Sequence, residues 1–307
     1  YVCLNESLAS QAKALVPDIP AENYIIEPEK RDTAPAMGLV AAQLYLKFPN
    51  EPVAFIPSDH FIGQKDNFIK MIKRADQLIQ ETGKMLDIAV WPTFPSTALG
   101  YTRIGNKVSD EGGVEVFEFK SHTEKPEFEI AKSYLEAGDY LWHASYYMWT
   151  PSKILKAFEQ YSPSHYLYLE QLVEALRQNG QSKANWAFSQ MPKTSFDYAV
   201  TEKIDPANVL IIKGDFSWSD VGAFDVLYEA QQKKVDKNGN IAFANHISHD
   251  STDCLIYGPK NKLIATLGVD DLVIVDTDDI LLVAPKNKAQ EVKKLVQKLE
   301  QDNASYL

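Results

Sequence analysis

Short apolar runs alternate with amphipathic stretches along roughly the first 230 residues. The run at 53–57 predicts a buried strand that a proline ends, and the apolar residues of 66–80 recur at helical spacing. The run at 86–90 predicts another strand. Because strands that alternate with helices form βαβ units, the pattern predicts an α/β fold with a mostly parallel sheet.

The same periodicities predict the other elements of this region. Alternating apolar and acidic residues predict a half-exposed strand at 114–119, and an apolar run predicts a strand at 209–212. Further helices are predicted at 35–48, 132–137, 152–160 and 166–178.

Roughly the last 75 residues differ in character. A polar, turn-forming junction at 236–240 precedes closely spaced β-type runs that glycine, proline and aspartate separate. These runs lie at 254–257, 263–266, 272–275 and 280–283. The lysine-rich stretch 286–301 places its apolar residues on one helical face. We therefore predict a larger domain at 1–235 and a small β domain with a terminal helix at 236–307.

Composition narrows the class of protein. Of the 307 residues 45% are hydrophobic, as in ordinary soluble proteins, and the net charge of −11 disfavours a general nucleic-acid binder. No apolar run approaches the roughly 20 residues that span a bilayer, and the N-terminus shows no signal-peptide pattern. Cys3 and Cys254 fit neither a disulfide framework nor a metal site. We expect a cytoplasmic protein with reduced thiols that binds neither nucleic acid nor membrane.

Two aspartates follow predicted strands. Asp59 comes after the run at 53–57, and Asp220 stands in a Trp-Ser-Asp-Val-Gly stretch after the strand at 209–212. Ligands bind at the carboxyl ends of strands in open α/β sheets, and Mg²⁺ prefers carboxylates together with substrate phosphates. The same pattern allows Asp59 to cap a turn and Asp220 to cap the next helix. His60 is interpreted as a hydrogen-bonded scaffold histidine.

Two further polar segments suit a sugar phosphate or a base. Lys125 can neutralise a phosphate and Glu124 can accept from sugar hydroxyls, although the two also read as a solvated pair. The loop at 27–36 enters a predicted helix N-terminus, which favours anions, and a carboxylate in it can accept from guanine. It is equally a capping loop, with Thr33 as N-cap and Pro35 just inside the helix.

Several stretches in this order resemble the bacterial mannose-1-phosphate guanylyltransferases, also called GDP-mannose pyrophosphorylases. They are EPEKRDTAPA (27–36), IPSDHF (56–61), GYTRIG (100–105), HTEKP (122–126), YLWHASYYMW (140–149), FSWSDVGAF (216–224) and GVDDLVIVDTDDILLVAPKNKAQEVKKLV (268–296). The resemblance implies a Rossmann-like nucleotidyltransferase domain, a small C-terminal β-helix-like domain, and a homodimer. It further implies transfer of GMP from GTP to a hexose 1-phosphate, by family default mannose 1-phosphate, giving GDP-mannose and pyrophosphate.

The resemblance also implies roles for particular residues. Asp59 and Asp220 become the Mg²⁺ ligands and, with Lys125, the catalytic residues. Glu124 and Lys125 become contacts to the sugar and its phosphate. Charge neutralisation and positioning then suffice for the reaction, because the attacking phosphate oxygen is already anionic.

Other implied contacts coincide with departures from the family pattern. Gly100 and Tyr101 form part of the sugar wall, but the family's TGYGY reads TALGY here. The family's Trp-Asn-Ser-Gly reads Trp-His-Ala-Ser, so that His143 takes the place of an asparagine that reads a sugar hydroxyl. The residues implied to lie against the guanine are Glu27, Thr33 and Pro35.

The family opens with a strand and a Gly-rich loop of the type GGxGxRLWP, which holds the triphosphate. We expect this segment to precede Tyr1 in the natural protein, and we expect the 307-residue chain alone not to turn over. The alternative hypothesis is a catalytically silent homologue that binds a sugar nucleotide or a partner enzyme. A further alternative is a nucleotidyltransferase that uses a base other than guanine.

Overall fold

The computed structural model describes residues 1–302 and divides into two compact units. The first unit comprises Tyr1–Pro57 and Lys65–Asp215, and the second comprises Ser58–Gln64 and the chain from Phe216 onward. The boundary at 235/236 stays a sequence-based prediction, and residues 303–307 of that predicted domain lie outside the described ones.

The described chain alternates strands and helices, as the sequence predicts. The strands are β1 (Val2–Asn5), β2 (Tyr24–Glu27), β3 (Val53–Ala54), β4 (Phe61–Ile62), β5 (Met85–Val90), β6 (Tyr101–Glu111), β7 (Val114–Thr123), β8 (Tyr140–Trp149), β9 (Val209–Gly214), β10 (Trp218–Ser219), β11 (Ile241–Ala242), β12 (Asn245–His249), β13 (Leu255–Tyr257), β14 (Leu263–Leu267), β15 (Leu272–Asp276) and β16 (Leu281–Pro285). The helices are α1 (Glu6–Leu15), α2 (Thr33–Tyr45), α3 (Lys65–Thr82), α4 (Phe128–Ala137), α5 (Pro151–Tyr161), α6 (Pro163–Arg177), α7 (Gln181–Gln190), α8 (Phe224–Ala230) and α9 (Val292–Asp302).

A six-stranded sheet in the order β3-β8-β5-β9-β7-β6 forms the core of the first unit. The pairings give β3, β5, β6 and β9 one direction, as a mostly parallel sheet requires, and they reverse β7 and β8. Because the reversed strands lie between the others, β5 and β9 are the one parallel pair that is hydrogen-bonded within this sheet. β1 and β2 pair in parallel as a separate ribbon.

The predicted buried strand at 53–57 is wrong in its extent and its burial. Regular pairing covers only β3, at the edge of the sheet beside β8, and Ile56 is 49% exposed. An edge position leaves one side of a strand without a neighbour, which explains why its apolar residues are not enclosed.

The first turn of α2 differs from its predicted capping. Asp32, with φ of +70°, is the N-cap, and its side chain accepts from the Thr33 N–H, so that Thr33 already belongs to the helix. The Thr33 hydroxyl instead accepts the Phe196 N–H at 2.9 Å. Farther along, Gly38 permits close packing on α6, because a Cβ there would lie 2.7 Å from Leu169 Cδ2.

The second unit contains the β-helix-like fold. β11, β13 and β15 stack in parallel on one face, and β12 and β14 pair in parallel on another. Their register stacks Ile241 on Leu255 and Leu255 on Val273, and all three are at most 1% exposed. This ladder of apolar side chains is the core of the unit. The predicted terminal helix begins as a 3₁₀ helix, Lys286–Glu291, and continues as α9.

Among the described residues, no helix is both long enough and apolar enough to cross a membrane.

Candidate functional site

A cluster of carboxylates and imidazoles lies inside the first unit, on β5, β7, β8 and a π-helical turn, Asp197–Thr201. Asp87 lies in the middle of β5, among apolar residues, and is 3% exposed. His143 lies on β8 next to a bulge at which Ser145 adopts φ of +55°. A bulge changes which way the following side chains face. Here the bulge lies between two pairs of β5 and β8: Ala89 is opposite His143, whereas Ile88 is opposite Tyr146.

His143 lies between two buried aspartates. Its Nδ1 is 2.9 Å from Asp87 Oδ2, within hydrogen-bond distance. Its Nε2 is 3.2 Å from Asp197 Oδ1, an ion-pair contact without hydrogen-bond alignment. His143 is 4% exposed and Asp197 8%. Charged groups so far from water require partners of this kind.

Two hydroxyls complete the surroundings of Asp197. The Tyr147 hydroxyl donates to Asp197 Oδ1 at 2.5 Å, and its oxygen is 2.9 Å from Thr201 Oγ1. Tyr147 is buried on β8, and Thr201 ends the π-helical turn. These contacts bind the turn to the central sheet.

His122 and Glu124 extend the cluster from the end of β7. His122 Nε2 is 3.6 Å from Glu124 Oε2 and 3.7 Å from Asp197 Oδ1. Gly100 lies directly against this carboxylate, because a Cβ there would collide with Glu124 Oε2. The predicted residues Gly100, Glu124 and His143 therefore lie close together.

Burial and neighbouring charges have opposite effects on the pKa values of this cluster. Burial disfavours the charged forms, yet the Asp87 and Asp197 carboxylates hold the pKa of His143 well above its ordinary value. Likewise, contacts from His143 and Tyr147 outweigh burial and lower the pKa of Asp197. His122 and Lys125 outweigh burial at Glu124 and lower its pKa. These groups therefore form an ionic cluster inside the protein.

Lys125 lies at the accessible rim of this cluster. Its Nζ is 2.5 Å from Glu124 Oε1, and its backbone adopts φ of +46°. Its side chain is 58% exposed, whereas that of Glu124 is 9% exposed. The hydrogen bond from Lys125 to Glu124 opposes burial and raises the pKa of Lys125, which keeps the ammonium charged. The pair thus presents a cation at the surface with an acceptor behind it.

The structure places the other predicted contact residues of this unit as follows. Tyr101 is fully buried, and its hydroxyl accepts the Ser96 N–H at 2.8 Å, so it holds the loop before Gly100. Glu27, at the end of β2, accepts from Cys3 Sγ at 3.8 Å, and burial raises its pKa. Thr33 and Pro35 lie in the first turn of α2, and Pro35 is buried.

Asp59 and Asp220 belong to the second unit, not to the edge of the six-stranded sheet. β4 and β10 pair antiparallel with Ser219 opposite Phe61. Asp59 lies shortly before β4 and Asp220 directly after β10, so both are at the same end of this ribbon. Asp220 is not a helix N-cap, since Ala223 precedes α8 in that position. Trp218 Nε1 donates to His60 Nδ1 at 3.2 Å, which fits a scaffold role for His60.

Four members of the buried cluster were missed as functional candidates from sequence: Asp87, His122, Tyr147 and Asp197. An acidic residue inside the otherwise apolar strand MLDIAV was an available signal, because a lone buried carboxylate needs a partner. Nothing in the local sequence connects Asp197 with His143, since they meet only through the tertiary fold.

Comparison with known proteins shows extended similarity. The chain is 36% identical over 282 residues to a putative mannose-1-phosphate guanylyltransferase of Vibrio cholerae serotype O1, covering 91% of this chain and 58% of that protein. It is 34% identical over 282 residues to a mannose-1-phosphate guanylyltransferase of Escherichia coli, covering 91% and 60%. The chain thus spans less than two thirds of the length of these relatives.

Structure and family comparisons agree with this similarity. A crystal structure from Thermus thermophilus, described as a mannose-1-phosphate geranyltransferase, matches with a TM-score of 0.82 and 28% identity over 97% of this chain and 83% of that one. Residues 244–299 match the MannoseP isomerase/GMP-like beta-helix domain, which confirms the predicted β-helix-like fold. Residues 2–237 match the Nucleotidyl transferase family, which confirms the predicted nucleotidyltransferase fold. Because this match covers most of the sequence, the chain belongs to the nucleotidyl transferase family.

Proposed function

We propose that the natural full-length protein transfers GMP from GTP to α-D-mannose 1-phosphate and releases GDP-mannose and pyrophosphate. Family membership and the names of the two relatives support a nucleotidyltransferase with this substrate pair. The observation that carries the proposal is the Glu124–Lys125 pair beside Gly100. Cytoplasmic location and a homodimer are parts of the same proposal.

The sugar phosphate binds at the rim of the buried cluster in this proposal. Lys125 supplies a charged donor for the phosphate, and Glu124 accepts from sugar hydroxyls. Gly100 leaves room for the Glu124 carboxylate at its backbone. His143 is enclosed between Asp87 and Asp197, so its contribution to the sugar site is to hold the carboxylates behind Glu124 in place.

The reaction needs no general base. An anionic oxygen of the sugar phosphate attacks the α-phosphorus of GTP, an O–P bond forms, and the bond from the α-phosphorus to the bridging oxygen of pyrophosphate breaks. The protein contributes orientation and neutralisation of the developing negative charge. Lys125 is the cation assigned to the attacking phosphate. The segment carrying Glu27, Thr33 and Pro35 is assigned to the guanine, with Glu27 as the acceptor for its N–H groups.

Asp59 and Asp220 are the proposed holders of a divalent cation, assigned as Mg²⁺. Two carboxylates at one end of a short ribbon suit this ion, which binds one or two carboxylates together with substrate phosphates. When bound, Mg²⁺ supplies charge to the phosphate oxygens of the nucleotide. Val221, with φ of +40°, turns the chain directly after Asp220.

A panel of substrates tests the proposed activity. We expect the natural full-length protein with Mg²⁺ to form a nucleotide sugar from GTP and mannose 1-phosphate, and to use ATP, CTP and UTP at least about tenfold less efficiently in kcat/KM. Anion-exchange chromatography of the products, with glucose 1-phosphate as the comparison sugar, measures this. A preference for another nucleotide would contradict the guanine assignment, and no product with any pair would support the silent-homologue alternative.

Replacement of Lys125 tests the phosphate contact. We expect Lys125→Ala to lower kcat/KM for mannose 1-phosphate roughly 10- to 100-fold, since a charged hydrogen bond contributes about 1.5–3 kcal/mol, and to leave the KM for GTP nearly unchanged. Lys120→Ala is the matched control, because Lys120 is a half-exposed lysine on β7, the strand that precedes Lys125, and pairs with Glu118. Equal losses for both substrates would remove Lys125 from this role.

Replacement of Asp220 tests the cation site. We expect Asp220→Asn to lower Mg²⁺-dependent kcat by about 100-fold or more while the thermal transition stays close to that of the wild type, because a metal ligand is lost without a change of shape. Asp250→Asn is the control, since Asp250 is an exposed aspartate of the same unit. Undiminished turnover across a Mg²⁺ titration would show that Asp220 does not hold the ion.

A further inference from the structure

The buried cluster contains two imidazole nitrogens that face a carboxylate without forming a hydrogen bond. Within residues 1–302, His122 Nε2 and His143 Nε2 are buried and make no hydrogen bond. Both residues are more than nine-tenths buried, and both nitrogens face Asp197 Oδ1, at 3.7 and 3.2 Å. His143 Nε2 has the ion-pair contact with Asp197, whereas His122 Nε2 lies between two carboxylates that are both too far for a hydrogen bond, as expected where a cation binds between them.

The spacing of the surrounding atoms suits a first-row divalent metal. His122, Glu124 and Asp197 each place one ligand atom within 4.8 Å of the others. A tetrahedral ion with bonds of about 2.0–2.1 Å separates its ligand atoms by roughly 3.3 Å. His122 Nε2 lies 3.6 Å from Glu124 Oε2 and 3.7 Å from Asp197 Oδ1, so small side-chain movements would close the site.

Both histidines are held by a contact at Nδ1, as a metal-binding imidazole such as His122 needs. His143 Nδ1 faces Asp87 Oδ2 at 2.9 Å, and His122 Nδ1 faces Thr102 Oγ1 at 3.4 Å. A carboxylate or hydroxyl on Nδ1 fixes the ring so that Nε2 points to the metal. Asp87 holds His143, and His143 in turn contacts Asp197, so that the carboxylate of this proposed ligand is also supported from behind.

The charges of the surrounding side chains also favour a divalent cation at this position. Three carboxylates, those of Asp87, Glu124 and Asp197, meet in a region where His122 and His143 are the interior partners. A divalent cation bound beside His122 would add positive charge next to Glu124 and Asp197, in addition to the Lys125 ammonium at the rim. Neutral imidazole is the form that binds metal.

We propose that His122, Glu124 and Asp197 form a binding site for Zn²⁺ inside the nucleotidyltransferase unit. Mixed imidazole and carboxylate ligands select zinc-like ions over Mg²⁺, which prefers oxygen ligands alone. This site shares no residue with the pair Asp59 and Asp220, and it does not depend on the proposed transfer reaction. Its effect there is positional: the ion would fix Glu124 Oε2 and leave Oε1 for Lys125 and the substrate.

Zinc stoichiometry in the absence of substrate tests this site. The protein is freed of metal with EDTA, dialysed, and titrated with Zn²⁺ in a calorimeter, with elemental analysis after removal of free ion. We expect one equivalent of Zn²⁺ per chain, and substitution by Co²⁺ should give the visible absorption bands of a tetrahedral site. Binding well below one equivalent in the wild type would overturn the proposal, whatever the variants do.

Variants locate the site. We expect His122→Gln and Glu124→Gln each to weaken Zn²⁺ binding by at least about tenfold, while His249→Gln, which removes an exposed histidine of the other unit, leaves it unchanged. Glu124→Gln keeps the side-chain shape, so circular dichroism should show a folded protein. Asp220→Asn should retain the Zn²⁺. Unchanged affinity in both His122→Gln and Glu124→Gln, or loss in Asp220→Asn, would place the ion elsewhere.

Discussion

Asp197 is the buried charge around which the first unit is arranged. A carboxylate removed from water requires donors and positive charge, and Asp197 receives them from Tyr147 and His143. Tyr147 and His143 lie on β8, whereas Asp197 starts the π-helical turn, so the contacts bind that turn to the central sheet. Removal of one partner from a buried ion pair typically costs about 3–5 kcal/mol of stability, so the folded unit strongly favours this arrangement over one in which a contact is lost.

The positions of Glu124 and Lys125, at the accessible rim of the cluster, depend on these buried charges. His122 lies within 3.7 Å of both Asp197 and Glu124, so the position of Glu124 depends on the buried charges behind it. Glu124 in turn holds Lys125, the exposed cation that we assign to the sugar phosphate. The transfer reaction that we propose depends on positioning and charge rather than on covalent steps by the protein, and a rigid ionic cluster suits that requirement.

Much of the fold could be predicted from periodicity, because buried faces repeat at fixed spacing. Helix α3 and strands β5 and β9 lie within a few residues of their predicted bounds. The edge position of β3 could not be predicted, since it depends on which strand lies beside it. The motif that contains Glu124 and Lys125 indicated the rim of the site. The link from His143 to Asp87 and Asp197 joins residues 56 and 54 positions apart, which no local pattern encodes.

The most direct measurement is a comparison of the KM values of Asp197→Asn for the two substrates in the natural full-length protein. Asparagine keeps the shape of the side chain and removes its charge, and Asp197 acts through His122 and Glu124 in our account. We predict that the KM for mannose 1-phosphate rises by at least about tenfold, equivalent to about 1.4 kcal/mol, while the KM for GTP changes less than about twofold. An unchanged KM for mannose 1-phosphate, or equal increases for both substrates, would contradict the claim that the buried cluster positions the sugar site.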